Sequence, residues 1–425
     1  MSSFSGDGAT AAGSDALGSK EPGHPLRLAF LASLACFALA ALTGSLLRYG
    51  LLHGFPWELQ YLNVRHAHTH LMYFGWVTPA LFALIGVAVA RRLGRPLPLA
   101  FHASVAAALV GGLLAYPPFL MSGYQLTAVG DTRLPLSMMA AGLVVVCWYA
   151  WSALYLLVSW RLPRDLAVLA LDAAVLTLLV SSSGAWGLAA LAFAPFAPPA
   201  TMDALVRFYL DVFSQGWFVL ALLGVLFAAL PPFSRSRFDL PALAALFAGL
   251  LGAAFAELLA WPHAVAQVSS IVAAGGLLLL AARAAHGAWR AGRAQAMLVS
   301  SLLVLKALLD VALLSPAIAA WSERMVLQVF LLHAFLLGVV TLGVMSLALR
   351  EWLPRSRRLF WWLALAVAAL LMSQLPLSGL WPANLRGPWA LAVAFWATLP
   401  GTAVMLVAAL RLIRGALLPV RPTRP

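Results

Sequence analysis

The chain has 425 residues, 63% of them hydrophobic and only 10% charged, with a mean hydropathy of +0.93. A water-soluble domain has about a quarter of its residues charged to cover its surface. These figures therefore exclude an ordinary soluble enzyme and make lipid the main solvent. The net charge of +13 would suit a nucleic-acid binder, but the placement of the charges argues against one, as the order of the chain makes clear.

Residues 1–26 are rich in Gly, Ser and Ala with little hydrophobic content, and are expected to form a disordered cytoplasmic tail. Apolar runs of about 20 residues, long enough to cross ~30 Å of hydrocarbon, then recur to residue 413. The spans are expected at 27–48, 67–90, 99–120, 136–160, 166–194, 205–230, 240–261, 264–283, 296–320, 325–349, 358–380 and 388–412. A short tail, 414–425, closes the chain. The first run is too long for a signal-peptide core and lacks a polar stop after it, so it is read as a retained helix.

Every second connection is rich in arginine. Arg91, Arg92 and Arg95 follow span two, and Arg161 and Arg164 follow span four. Arg235 and Arg237 follow span six, and Arg283, Arg290 and Arg293 follow span eight. Arg350, Arg355, Arg357 and Arg358 follow span ten, and Arg411, Arg414, Arg421 and Arg424 follow span twelve. The intervening connections carry at most two basic residues each. This is the positive-inside pattern repeated along the chain. It predicts a multi-pass protein of a bacterial-type inner membrane with both termini in the cytoplasm, and it explains the basic excess without nucleic acid.

The fold class expected is an all-α integral membrane protein of about twelve helices with no soluble domain. The Pro-rich stretch at 196–204 is taken as the longest connection. Spans seven and eight, separated only by Trp261-Pro262-His263, are expected to form an antiparallel hairpin. No period of 20–50 residues repeats. Cys36 and Cys147 both lie in apolar spans, form no disulfide framework and belong to no Cys-x-x-Cys-His haem attachment motif.

Ionisable groups inside a bilayer are costly and usually functional. Four of the nine histidines qualify: His66, His68 and His70 near the start of span two, and His333 about ten residues into span ten. On a helix His66 and His70 share a face, whereas His68 lies ~200° round from His66. Three ligands to one metal from an intact helix are therefore not expected, and a division of labour is. In it His68 serves one site, while His66 and His70 serve another or the headgroup region. The alternative reading is a set of interfacial histidines wetted by lipid headgroups.

With these residues in view, span two resembles the second helix of the haem-copper oxidase catalytic subunit. In that superfamily the low-spin haem ligand is a His followed by Met four residues on, Phe six on and Pro eleven on. His68 is followed by Met72, Phe74 and Pro79 at those offsets. Span ten is similar to the tenth helix of the nitric oxide reductase and C-family branch, which carries His-x-His with Gly five residues after the second His. His333 and Gly338 match that His and Gly. The resemblance implies a subunit I-like bundle in which His68 and His333 hold one low-spin haem b by both axial positions. Such ligation leaves no open coordination site. Ala67, Gly75, Trp76, Ala334, Phe335 and Gly338 either leave room for the flat macrocycle or serve small-residue helix packing.

The chain also departs from that family. The first His of the His-x-His, which holds the gas-reactive haem, is Leu331 here. The sixth-helix His-x-x-x-Glu-Gly pattern is Asp211-Val212-Phe213-Ser214-Gln215-Gly216, and only the Gly is retained. The seventh-helix His pair is absent, with His263 its one conceivable remnant. A working terminal oxidase or nitric oxide reductase is therefore not expected. Asp211, His263 and Glu257 remain a candidate site for copper or another metal, with His66 and His70 a second one. The other reading makes them interfacial polar residues. Lys306 and Asp310, four apart in span nine, are expected to neutralise each other, a proton relay being the alternative. Asp172 in span five has no visible partner in the sequence.

Three functions follow. The first is a membrane cytochrome of the respiratory chain that transfers electrons to a redox partner or another respiratory subunit. The second rests on a resemblance to the NnrS family of haem-copper membrane proteins linked to nitrosative stress, carried by His66-Ala67-His68 and by His333-Ala334 followed by Gly338. The third is a non-haem metal transporter or scaffold.

Overall fold

The computed structural model describes residues 24–191, 198–231, 236–352, 357–385 and 387–417. Residues 1–23 and 418–425 of the two expected tails lie outside the described residues, as do 192–197, Arg235, Arg355 and Arg386. Helix already begins at His24, so residues 24–26 belong to the first span rather than to a tail.

The protein is an all-α multi-pass membrane protein. Among the described residues twelve helices are long and apolar enough to cross a bilayer: His24–His53, Tyr61–Leu93, Leu99–Ser122, Leu136–Ser159, Leu166–Leu191, Ala200–Ala229, Asp239–Leu258, His263–Arg290, Ala294–Leu313, Gln328–Trp352, Arg358–Leu377 and Trp389–Arg411. They are called spans one to twelve in that order. Their number and places agree with the hydropathy reading, because backbone polar groups in lipid can be satisfied only within a helix or a closed barrel.

Two connections differ from expectation. Residues 123–135 carry a β-hairpin, with β1 (Thr127–Val129) antiparallel to β2 (Thr132–Leu134) across a turn in which Gly130 takes φ +60°. This connection, not 196–204, is the longer one, since residues 199–211 are already helical. Span nine ends at Leu313, and a separate short helix, Pro316–Arg324, leads into span ten. The end of the bundle that bears β1 and β2 is called the hairpin end below.

Spans seven and eight do form a tight hairpin. Ala260 takes φ +52° at the turn, and Trp261 donates its amide to Ala256 at 2.8 Å. A Cβ added at Gly249 would lie 2.6 Å from the Ser269 carbonyl oxygen, and one at Gly276 would lie 2.5 Å from that of Ala242. Glycine is what lets these two backbones touch.

Spans two, six and ten are the most deeply buried of the twelve, and each contains one π-helical segment. The segments are Leu71–Val77, Val212–Phe218 and Ala334–Thr341. A polar residue stands immediately before each: His70, Asp211 and His333. Glycine follows it by five positions at Gly75, Gly216 and Gly338, and Thr78, Val219 and Thr341 follow by eight. The indole of Trp76 donates to Thr341 Oγ1 at 3.2 Å, and that of Trp217 to Thr78 Oγ1 at 3.3 Å. Span two thus bonds to span ten as span six bonds to span two. The third interface places Val339 and Val219 at the positions of the indole and hydroxyl, so it is apolar. Spans two, six and ten, each four spans from the next, thus share one local pattern. π-Segments frequently sit at functional sites, and here each begins directly after the polar residue.

Span three locks onto the first of these segments through Gly112, where a Cβ would lie 2.4 Å from the Phe74 carbonyl oxygen. Gly112→Ala is expected to force spans two and three apart and to cost roughly 1–3 kcal/mol, the usual cost of overpacking. Gly275→Ala, with nothing within 4 Å of its added Cβ, is the control and is expected to be near neutral. Thermal unfolding of the two variants in detergent checks this, and equal midpoints would refute it.

Candidate functional site

An internal cavity of about 390 Å³ opens between spans one, two, ten, eleven and twelve, within the ~300–1,000 Å³ range of ligand sites. Its walls are mainly apolar, with Phe37 on span one, Met72 on span two, Leu336 and Leu337 on span ten, Leu363 on span eleven and Met405 on span twelve. Two imidazoles reach it, His68 from span two and His333 from span ten.

The two histidines are held in the same way. His68 Nδ1 lies 2.8 Å from the Ala40 carbonyl of span one, and His333 Nδ1 lies 2.7 Å from the Val329 carbonyl one turn earlier in its own helix. A carbonyl only accepts, so in each neutral ring the proton sits on Nδ1 and the Nε2 lone pair is free. No described residue hydrogen-bonds either Nε2. Metal-binding histidines typically have this arrangement, with the remote nitrogen donating to a backbone carbonyl that fixes tautomer and ring plane. Gly44 makes room for it, since a Cβ there would stand 3.0 Å from His68 Cε1. The donor set, two neutral imidazoles on facing helices around an apolar slot, fits a haem held from both sides.

His66 and His70 lie away from this cavity and are paired differently. Span two starts at Tyr61, so all three of its histidines lie within the helix rather than at its end. His70 Nδ1 donates to the His66 carbonyl at 2.8 Å, its Nε2 lies 3.3 Å from the Tyr124 hydroxyl, and its ring stacks on Phe119 at 3.7 Å between centroids. Burial pushes the Tyr124 phenol up to about 12, so this hydroxyl keeps its proton at neutral pH and donates to His70. The lone pair a metal would need is therefore engaged. The His66 ring lies 4.7 Å from that of Tyr124 and 6.5 Å from that of His70.

Asp211 and His263 do not join them. Asp211 precedes the π-segment of span six as His70 and His333 precede theirs, and lies within electrostatic range of Glu257, Lys306, Arg207 and Asp310. His263 is exposed at the first position of span eight. Among the described residues no three His, Cys, Asp or Glu side chains gather in a group fit to hold a metal ion. The two candidate metal sites fare alike: His66 and His70 stay near each other but with the His70 Nε2 engaged, while of Asp211, Glu257 and His263 the last is exposed at the start of span eight and forms no three-residue group with the other two.

Of the two readings of the small and aromatic residues, helix packing describes three of them. Gly75 faces Cys36 of span one, with an added Cβ 3.1 Å from the Cys36 Cβ. Ala67 packs with Ala115 and Phe119 of span three, and Trp76 stacks on Phe37 while bonding Thr341. These three join helices and do not border the cavity. Gly338 has nothing within 4 Å of an added Cβ. Of the motif that follows His68, Met72 lines the cavity, whereas Phe74 contacts Trp148 and His70 on the opposite side of the helix. Asp172 does have partners: it accepts from the Tyr155 hydroxyl at 2.9 Å and pairs with Arg164 at 3.4 Å.

Sequence reasoning passed over Arg48 and Gln374, both of which line the cavity toward the hairpin end. The signal for Arg48 was a guanidinium in the last turns of an apolar run. Gln374 was missed because an inventory of ionisable groups omits amides.

Compared with known proteins, the chain matches no family model and no curated protein. The functional reading therefore rests on the site itself and on the motif resemblance of spans two and ten.

Proposed function

We propose that the chain is a membrane haem b protein of haem-copper oxidase subunit I-like descent, with one low-spin haem held between His68 and His333. One observation carries the reading. Two neutral imidazoles from facing helices line a single apolar cavity, each with Nδ1 tied to a carbonyl and Nε2 free. A haem with both axial positions filled supplies one-electron transfer and offers no open site for dioxygen or nitric oxide. The protein's contribution is to orient both rings, to exclude water with Phe37, Met72, Leu336 and Leu363, and to set the polarity around the macrocycle.

The role that follows is electron transfer within respiratory or nitrosative-stress physiology, with a redox partner or other respiratory subunit, rather than terminal oxidation. Leu331 replaces the ligand of a gas-reactive haem. The sixth-helix ligand position is Asp211, and the Lys306 ammonium nearby is paired with Asp310. The arginine alternation supports a bacterial-type cytoplasmic membrane with both termini inside.

The test is a visible spectrum of detergent-purified protein, oxidised and dithionite-reduced, with a pyridine haemochrome. Sharp reduced α and β bands from one haem b, unaltered by carbon monoxide, are the expected result. A colourless protein from haem-sufficient cells would overturn the reading and favour the transporter or scaffold alternative. Copper bound in stoichiometric amount would favour the NnrS-like one.

A further inference from the structure

The arginine-rich end of the bundle, remote from β1 and β2, concentrates charge at one point more than topology requires. Span six ends at Ala229, span nine begins directly after Arg293, and span ten carries Arg350 in its last turn. The guanidiniums of Arg293 and Arg350 both donate to the Ala229 carbonyl oxygen. Arg91, in the last turn of span two, lies within electrostatic range of Arg350, as does Glu351. That carboxylate is already taken, since Arg91 donates to it at 2.6 Å. No described carboxylate lies within ion-pair distance of Arg293 or Arg350, and no second described hydrogen bond engages either guanidinium.

Helix capping accounts for part of this. The last carbonyls of a helix have no partner within it, and a basic side chain is a common cap. One arginine would satisfy Ala229. A second brings two like charges to a single neutral acceptor, where the macrodipole of span six offers only about half a negative charge. The positive-inside rule asks for arginines somewhere in these connections, not for two on one atom. Each guanidinium also keeps most of its fork of N–H donors. Arg350 is exposed and Arg293 half-buried, so an anion has access to both. On span nine the residues that follow Arg293 at one-turn intervals, Met297, Ser301 and Leu305, are exposed as well. An acyl chain attached to an anion at Arg293 therefore has an open stripe of helix to lie along.

We propose that Arg293 and Arg350 form a binding site for a phosphate group, whose oxygens bridge the two guanidiniums at the end of span six. A phosphate presents several acceptor oxygens to planar forks and neutralises the excess charge, which the shared carbonyl cannot do. Basic pockets between transmembrane helices bind the headgroups of anionic lipids, and a free phosphate would make the same contacts. The site lies at the opposite end of the bundle from the hairpin and does not rest on the haem reading.

The experiment uses the full chain, delipidated in a neutral detergent, and follows its unfolding midpoint as phosphatidylglycerol, uncharged diacylglycerol or inorganic phosphate is added at constant ionic strength. A ligand that binds only the folded form raises the midpoint with its concentration. Wild type is compared with two double variants. Arg293→Lys with Arg350→Lys keeps both charges and the topology signal but removes the forks, and Arg293→Gln with Arg350→Gln removes the charges too. Phosphatidylglycerol is expected to raise the wild-type midpoint at concentrations where diacylglycerol does not. The lysine pair should need at least about ten times more of it for the same rise, the scale of one hydrogen bond to a charged group. The glutamine pair should respond no more than it does to diacylglycerol. A rise with phosphatidylglycerol alone would assign the site to a lipid headgroup, and a rise with inorganic phosphate that the lysine pair loses would assign it to a soluble phosphate. Equal responses to phosphatidylglycerol and diacylglycerol, a lysine pair indistinguishable from wild type, or a wild type that responds to neither phosphate compound would overturn the proposal.

Discussion

His333→Ala protein is expected to lose the sharp paired α and β bands of a six-coordinate haem and to retain at least about tenfold less pigment than wild type. A factor of ten corresponds to only 1.4 kcal/mol of binding, and an axial bond from a preorganised imidazole supplies more than that. Whatever pigment remains would be five-coordinate and should bind carbon monoxide, which wild type should not. His68→Ala should behave in the same way, since its ring is fixed by the Ala40 carbonyl just as that of His333 is fixed by Val329. His70→Ala is the informative control. His70 lies two residues from His68, yet its Nε2 accepts from Tyr124 and its ring stacks on Phe119, so the spectrum should be retained. Pigment lost in His70→Ala and kept in His68→Ala would refute the assignment on span two.

Lys306→Leu is expected to be the most damaging single change outside the cavity. Lys306 is 8% exposed, its Nζ lies 2.6 Å from Asp310 Oδ2, and it stands 5.3 Å from the centre of the Phe335 ring on span ten. It also lies within electrostatic range of Asp211. Removing the ammonium leaves two carboxylates close together without it in a low-dielectric bundle. Breaking a buried pair by deleting one partner costs about 3–5 kcal/mol. The lower end, roughly 3 kcal/mol, applies here, because the Asp310 side chain is 38% accessible. Replacing both members with leucine should recover much of the loss, as apolar substitution of a buried pair is often neutral. Unfolding midpoints in detergent for the single and double variants measure this. A double variant no more stable than the single one would refute mutual neutralisation and leave the relay interpretation standing.

These two experiments also separate site from scaffold. The histidine variants should leave the bundle folded, since both rings face a cavity rather than a packed interface. Lys306 sits where spans nine and ten meet and should affect stability before it affects colour. Pigment lost in Lys306→Leu at unchanged stability would point to a link between the Asp211 cleft and the haem cavity.

The number of helices, their limits to within seven residues and the hairpin of spans seven and eight could be read directly from the chain. The reason is that crossing a bilayer is a one-dimensional requirement. A run of about 20 residues either transfers favourably to hydrocarbon or does not, and a backbone in lipid has no option but to bond within its own helix. His68 and His333 were likewise recognisable, because histidine in an apolar run is rare and the residues after His68 follow a known spacing.

The direction each side chain faces was not available from spacing alone. A regular 3.6-residue period assigns His66, His68 and His70 to faces of an ideal helix, but span two carries a π-segment directly after His70, as do its two counterparts after Asp211 and His333. Only packing decided that His68 and His333 line one cavity, that His70 turns to Tyr124, and that Lys306 pairs with Asp310 against Phe335. The same holds for Gly75 against Cys36, for the Tyr155 hydroxyl on Asp172, and for Arg48 and Gln374, residues far apart in the chain that border one cavity. Hydropathy records what each residue costs to place in lipid, whereas a site depends on which turns of separate helices come to the same depth, and that is fixed by interlocking contacts such as Gly112 on Phe74 and Trp76 on Thr341.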